Sequence, residues 1–135
     1  MKKLFKPKSW LLIAGVIHAV MGIVVQTVMS DDVAKAGWGE AVATHDAFYE
    51  FLVGLFIVPH VAVMFATAFL LSGPAQAKMT TVLGASILVN FVGGAVHAST
   101  VGYMAEMGSI AAFAPPILLF VGLTVSGLLH WNDEP

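Results

Sequence analysis

The stretch SWLLIAGVIHAVMGIVVQTVMS, from Ser9 to Ser30, runs 22 residues without a lysine, aspartate or glutamate. A helix needs about 20 apolar residues to cross the hydrocarbon core of a bilayer, so this stretch reads as a membrane span. Three further uncharged intervals follow: 51–77, 79–105 and 107–132. Each is long enough for one more crossing. The expected helices are about 9–30, 46–71, 79–104 and 109–130, and together they use nearly all of the 135 residues. The fold class is therefore an all-α, integral membrane four-helix bundle, occupying the chain as a single transmembrane domain.

Composition agrees and removes other classes. Charged residues make up 10% of the chain, hydrophobic ones 59%, and the mean hydropathy is +0.90. A soluble domain carries roughly 25% charged residues, so the composition argues against a soluble globular enzyme. Nucleic-acid binding needs a basic face, whereas this chain has six lysines, no arginine and a net charge of −2. With no cysteine, disulfides, iron–sulfur clusters, thiolate zinc sites and covalently attached haem are excluded.

Lysine placement sets an expected orientation. Lys2, Lys3, Lys6 and Lys8 precede the first span and Lys78 lies in the second loop, while only Lys35 falls on the opposite side. Both termini are thus expected in the cytoplasm, with the protein in a bacterial-type inner membrane. Trp10, Trp38, Tyr49, Tyr103 and Trp131 all fall near span ends, as interfacial aromatic belts do. The first apolar run is too long for a signal-peptide core of about 7–15 residues and is read as a retained span. Residues 31–44 are expected to lie on the outer surface around Trp38, and Ser72–Lys78 to form a turn.

An ionisable or strongly polar side chain in lipid needs a partner. His18 and Gln26 share one face of the first helix with Gly15 and Gly22; Asp46, Glu50 and His60 share a stripe of the second. Asn90 and His97 share one of the third, near Ser86, Gly93 and Gly94. All three faces are expected to point inward. At about 1.5 Å rise per residue, His18 lies roughly 15 Å from the cytoplasmic boundary, and His60 and Asn90 roughly 18 Å. Gln26 and His97 come at about 27–28 Å, and Glu50 at about 33 Å. Two levels result: an inner His18–His60–Asn90 group with Gly15 and Gly22 beside it, and an outer one of Glu50, His97, Gln26, His45 and Asp46.

Each level has a bland reading and sharper ones. Polar side chains in bundles often serve only as interhelical hydrogen bonds. As ligands, His18 and His60 at one depth suit the axial positions of a b-type haem, with Asn90 steering an imidazole. His45, Asp46, Glu50 and His97 suit a transition metal. Glu50, His97, His60 and His18 in series suit a proton or small-solute path. No catalytic triad, P-loop or dinucleotide fingerprint occurs. The leading expectation is a non-enzymatic membrane protein whose buried His/Glu/Asn cluster binds a small ligand or supports a partner subunit; a homo-oligomer is a further possible partner. A haem- or metal-binding redox component is the alternative.

The segments WLLIAGVIHAVMG (residues 10–22) and AFYEFLVG (residues 47–54) resemble a group of small bacterial four-helix membrane proteins with a G-x-x-H-x-x-x-G first helix. The resemblance implies the same topology and directs attention to Gly15, His18 and Gly22. It implies no activity, and the chain departs from the group at His60 and His97.

Overall fold

A computed structural model describes residues 2–133, and helices are the regular secondary structure found among them. The first span is built of three pieces: α1 (Pro7–Ile17), a π-helical segment (His18–Val24) and α2 (Val25–Val28). The short α3 (Ser30–Trp38) follows, then α4 (Asp46–Leu70), α5 (Gly73–Val101) and α6 (Ser109–Leu129). Four helical stretches are long and apolar enough to cross a membrane: Pro7–Val28, Asp46–Leu70, Gly73–Val101 and Ile110–Leu129, with mean hydropathies of 2.2, 2.2, 1.7 and 2.0. The chain is a membrane-type helical bundle.

The third span starts six residues earlier than expected, at Gly73 rather than 79, and Lys78 sits on the helix rather than in a turn. Pro74 explains the early start, because its fixed φ and missing N–H suit the first helical turn. The turn shrinks to Leu71 and Ser72, both with extended backbone. Gln76 makes that tight reversal possible. Its side-chain amide donates to the carbonyls of Thr67, Ala68 and Leu71 at 3.1, 3.2 and 2.7 Å, adding a donor to carbonyls at the end of α4 and in the turn, where helical donors run out.

Two close helix contacts organise the bundle. Span one lies antiparallel on α4: a Cβ at Gly15 would stand 3.2 Å from Phe65, one at Gly22 2.9 Å from Ile57, and one at Gly54 2.6 Å from Thr27. On the other side, α5 lies against α6, where a Cβ on Gly84 would stand 2.8 Å from the Thr124 backbone nitrogen. Between these pairs sits the core of Leu11, Ala14, Met64, Ala68, Ile87, Phe120 and Leu123. It lies toward the end of the bundle that carries both termini.

There the chain ends meet. Lys2 Nζ reaches Asp133 Oδ1 at 2.6 Å, the His130 Nδ1 bonds the other Asp133 oxygen, and its Nε2 lies 3.2 Å from the Lys2 carbonyl. At the opposite end α3 packs beneath the α5–α6 connection: Met104 N donates to Gly37 O at 2.6 Å, and Trp38 meets Tyr103 edge-on at 5.2 Å. The segment expected to lie on the surface around Trp38 is thus a helix with Ala34 and Gly37 buried.

Two measurements check these contacts. Gly84→Val drives a side chain into the α6 backbone and is expected to destabilise the bundle by about 1–3 kcal/mol, read as a lower melting temperature in detergent. The Asp133 carboxyl is held below its usual range by the Lys2 ammonium and then by His130. A depressed carboxylate contributes above its unfolded pKa and is lost as pH falls through the folded value. The tether between the termini is therefore expected to persist through neutral pH and to open only below the ordinary carboxylate range, followed by NMR of the Asp133 carboxyl.

Candidate functional site

The π-helical turn begins at His18, and π turns inside helices are frequent at functional positions. On α4, Pro59 removes one N–H from the helical ladder immediately before His60 and frees the Leu55 carbonyl. Both histidines therefore sit where their helices depart from regular α geometry. The Gly22–Ile57 contact brings the two helices together one turn away, and the imidazole centres lie 6.3 Å apart with the rings tilted by 48°.

His18 is buried, 6% exposed. Phe120 meets it edge-on at 5.1 Å and Phe91 at 5.9 Å, while the two phenylalanines stack on each other at 5.5 Å. The environment of His18 is therefore aromatic on the α5–α6 side and imidazole on the α4 side. His60 Nδ1 is buried without a hydrogen-bond partner, and so is Gln26 Oε1 two turns beyond His18. Facing rings joined by an N–H···N bond would have centres roughly 5.2 Å apart, given a hydrogen bond of about 2.9 Å. The observed spacing of 6.3 Å is wider than that, so the two rings do not bond each other directly. Two imidazoles on opposite sides of a single ion at about 2.0–2.1 Å would have centres roughly 6.4 Å apart, and at a tetrahedral angle roughly 5.2 Å.

Asn90 does not join this pair. It is exposed, as are Ser86, Gly93 and His97 on the same side of α5. The expectation that the polar face of this helix points inward is therefore corrected. The physical reason is the competing face of α5: Ala77, Thr80, Gly84, Ile87, Ala95 and Ala98 are buried, and their mostly small side chains let α6 approach closely. That packing turns Asn90 and His97 outward.

The outer level also separates. Glu50 is buried, 8% exposed, and its Oε1 accepts a 2.7 Å hydrogen bond from the Tyr103 hydroxyl. Asp46 instead closes the start of α4, its Oδ2 accepting from Ala43 N at 2.6 Å, with His45 Nε2 3.7 Å from its other oxygen. His45 is exposed, and His97 lies on the outward side of α5. Among the described residues no three of these side chain types converge where they could hold a metal ion; of the four residues expected as a metal group, His45 and Asp46 lie together, Glu50 bonds Tyr103 and His97 stands apart.

Tyr103 was expected only as an interfacial aromatic. Its place as partner of Glu50 had a signal in the sequence: both residues fall at the same boundary level, and Gly102 ends α5 in the left-handed conformation just before it. Burial, and then the Glu50 carboxylate beside it, push the Tyr103 phenol above its usual range.

Gly15, Gly22 and Gly54 hold the two helices close, and along that interface run His18, Gln26, Glu50 and His60. Comparison with known proteins finds no matching family, no similar curated protein and no similar solved structure. The Glu50 contact is directly testable. Tyr103→Phe leaves a buried carboxyl without its donor and is expected to lower stability by about 1–3 kcal/mol, measured by thermal unfolding. Glu50→Gln, which retains an acceptor for the hydroxyl, is expected to lose less.

Proposed function

We propose that this chain is a small multi-pass membrane protein that binds one small ligand between the imidazoles of His18 and His60. The observation that carries the reading is the buried, unpartnered Nδ1 of His60, a residue whose ring centre lies 6.3 Å from that of His18. A buried polar atom without a partner is destabilising by about 1–3 kcal/mol, and its retention inside a bundle points to a ligand or water that satisfies it. Gln26 Oε1, unpartnered on the same helix interface, extends the polar lining toward Glu50 and the far end of the bundle. A small ligand fits this interior better than a wide one, because Phe91 and Phe120 already pack against His18.

The lysine bias supports an orientation with both termini cytoplasmic and the Glu50–Tyr103 end outward, in a bacterial-type inner membrane. Single cysteines placed at Lys3 and at Glu40 of the cysteine-free chain test it. A membrane-impermeant thiol reagent is expected to label the second in intact cells and the first only after lysis.

A second reading is a b-type haem. It draws on the donor count: the interior offers two imidazoles and, among the described residues, no third metal-ligating side chain beside them. A bare ion usually requires more protein ligands, whereas haem iron needs only its axial ones. Haem would supply one-electron chemistry between His18 and His60. Phe91 and Phe120 would have to move aside to admit the macrocycle, which ranks this reading second.

Native mass spectrometry and absorbance of the purified protein separate the readings. A bound small mass lost in both His18→Ala and His60→Ala supports the first; a Soret band lost in both supports the second. Bound species unchanged in either variant would overturn both. His60→Leu removes the unpartnered nitrogen and is expected to raise the melting temperature of the ligand-free protein while abolishing binding, the trade expected where a site is retained at the expense of stability.

A further inference from the structure

Charge divides unequally between the two ends of the bundle. Lys2, Lys3, Lys6, Lys8 and Lys78 gather at the end where the termini meet, and all five are exposed. The acidic residues on that side are Asp133, which pairs with Lys2 at 2.6 Å, and Glu134, which lies outside the described residues. The opposite end holds Lys35 together with Asp31, Asp32, Glu40, Asp46, Glu50 and Glu106. Among the described residues no carboxylate comes within ion-pair distance of Lys3, Lys6, Lys8 or Lys78. Four ammonium groups without a counter-charge thus stand at one edge of a hydrocarbon surface.

Contacts within the chain hold this edge in shape. Ahead of α1, the Trp10 Nε1 donates to the Leu4 carbonyl at 3.3 Å, Phe5 stacks on the indole at 5.2 Å, and Lys2 is tied to Asp133. Trp10 is itself seated against Gly122 of α6, where a Cβ would run into the indole. The strap so formed carries Leu4, 80% exposed, between Lys3 and Lys6. An apolar side chain flanked by cations suits a segment lying in the membrane interface. Elsewhere on the edge, Lys8 Nζ stands 5.6 Å from the centre of the Phe69 ring and Lys78 Nζ 5.8 Å from that of Trp131. Lysine stems run along apolar surface and carry their ammonium groups to the headgroup level, and the faces of the rings favour the cation.

We propose that this edge binds anionic phospholipid, with Lys3, Lys6, Lys8 and Lys78 contacting the headgroup phosphates. Lysine clusters beside a membrane span attract anionic leaflets, and two features here select lipid over a soluble acidic partner. Lys8 and Lys78 rest on rings at the ends of their spans, which is where acyl chains give way to headgroups. Leu4 and Phe69 set exposed hydrocarbon beside the charges, and one lipid molecule answers both, with its chains and its phosphate. A zwitterionic lipid brings a cation of its own and gains less. Lys2 takes no part, because Asp133 already neutralises it.

The test follows thermal unfolding of the full chain in neutral detergent, with phosphatidylglycerol, phosphatidylcholine, inorganic phosphate or polyglutamate added. Phosphatidylglycerol is expected to raise the melting temperature by several degrees and the other three to change it little. Replacing Lys3, Lys6, Lys8 and Lys78 together by Gln is expected to abolish the rise, and replacing them by Arg to preserve it. Lys35→Gln, at the opposite end, is expected to leave it unchanged. Native mass spectrometry of the unsubstituted chain is expected to show phosphatidylglycerol retained several-fold over phosphatidylcholine, a preference that shrinks when the two lipids are loaded at high ionic strength. An equal rise with phosphatidylcholine, phosphate or polyglutamate would overturn the proposal. So would a rise that survives the four Gln replacements, or a lipid preference indifferent to salt.

Discussion

The glycine-mediated approach of span one to α4 is the contact on which the interior depends. Gly15, Gly22 and Gly54 remove side chains where Phe65, Ile57 and Thr27 would otherwise collide. Membrane helices gain no hydrophobic drive from burying one another, since lipid is as apolar as leucine; association rests on close packing and on interhelical hydrogen bonds. The close approach therefore does two things at once. It gives the helices their dispersion contacts, and it brings the rings of His18 and His60 to within 6.3 Å of each other.

That arrangement departs from what stability alone would select. A bundle built only to pack would place leucine or phenylalanine opposite Phe120, which is itself fully buried. Here an imidazole stands in that position, the helix carrying it widens into π geometry, and the helix opposite gives up a hydrogen bond at Pro59. Irregular backbone at membrane depth is tolerated where neighbouring protein or a cavity satisfies it. Three local departures converging on one pair of side chains make the pair, rather than either residue alone, the centre of interest.

Much of this was legible in the sequence, and the division is physical. The spacing of charges reports directly on solvent, so the number of spans and their approximate limits could be read from it. Depth along a span follows from the rise per residue, which paired His18 with His60. Rotation about the helix axis does not follow in the same way. α5 carries two stripes of similar period: a small one through Ala77, Gly84 and Ala98, and a polar one through Ser86, Asn90 and His97. Polarity argues for turning the second inward, and close packing for turning the first. The Gly84–Thr124 approach decided it, and that depends on α6, whose sequence says little about which neighbour it will meet. Gln76 was missed for a related reason: its acceptors belong to the end of the preceding helix and to the turn after it, and come within reach only once the chain reverses.

Gln76 also bears on how such a chain assembles. The carbonyls at the end of a helix are a burden when that end must leave water, and those of α4 are answered by a side chain only a few residues downstream. The α4–α5 hairpin thus carries its own solvation at the turn. The reversal between the two helices is therefore settled within the chain, with no donor drawn from span one or α6, even though α4 and α5 each pack mainly on another helix.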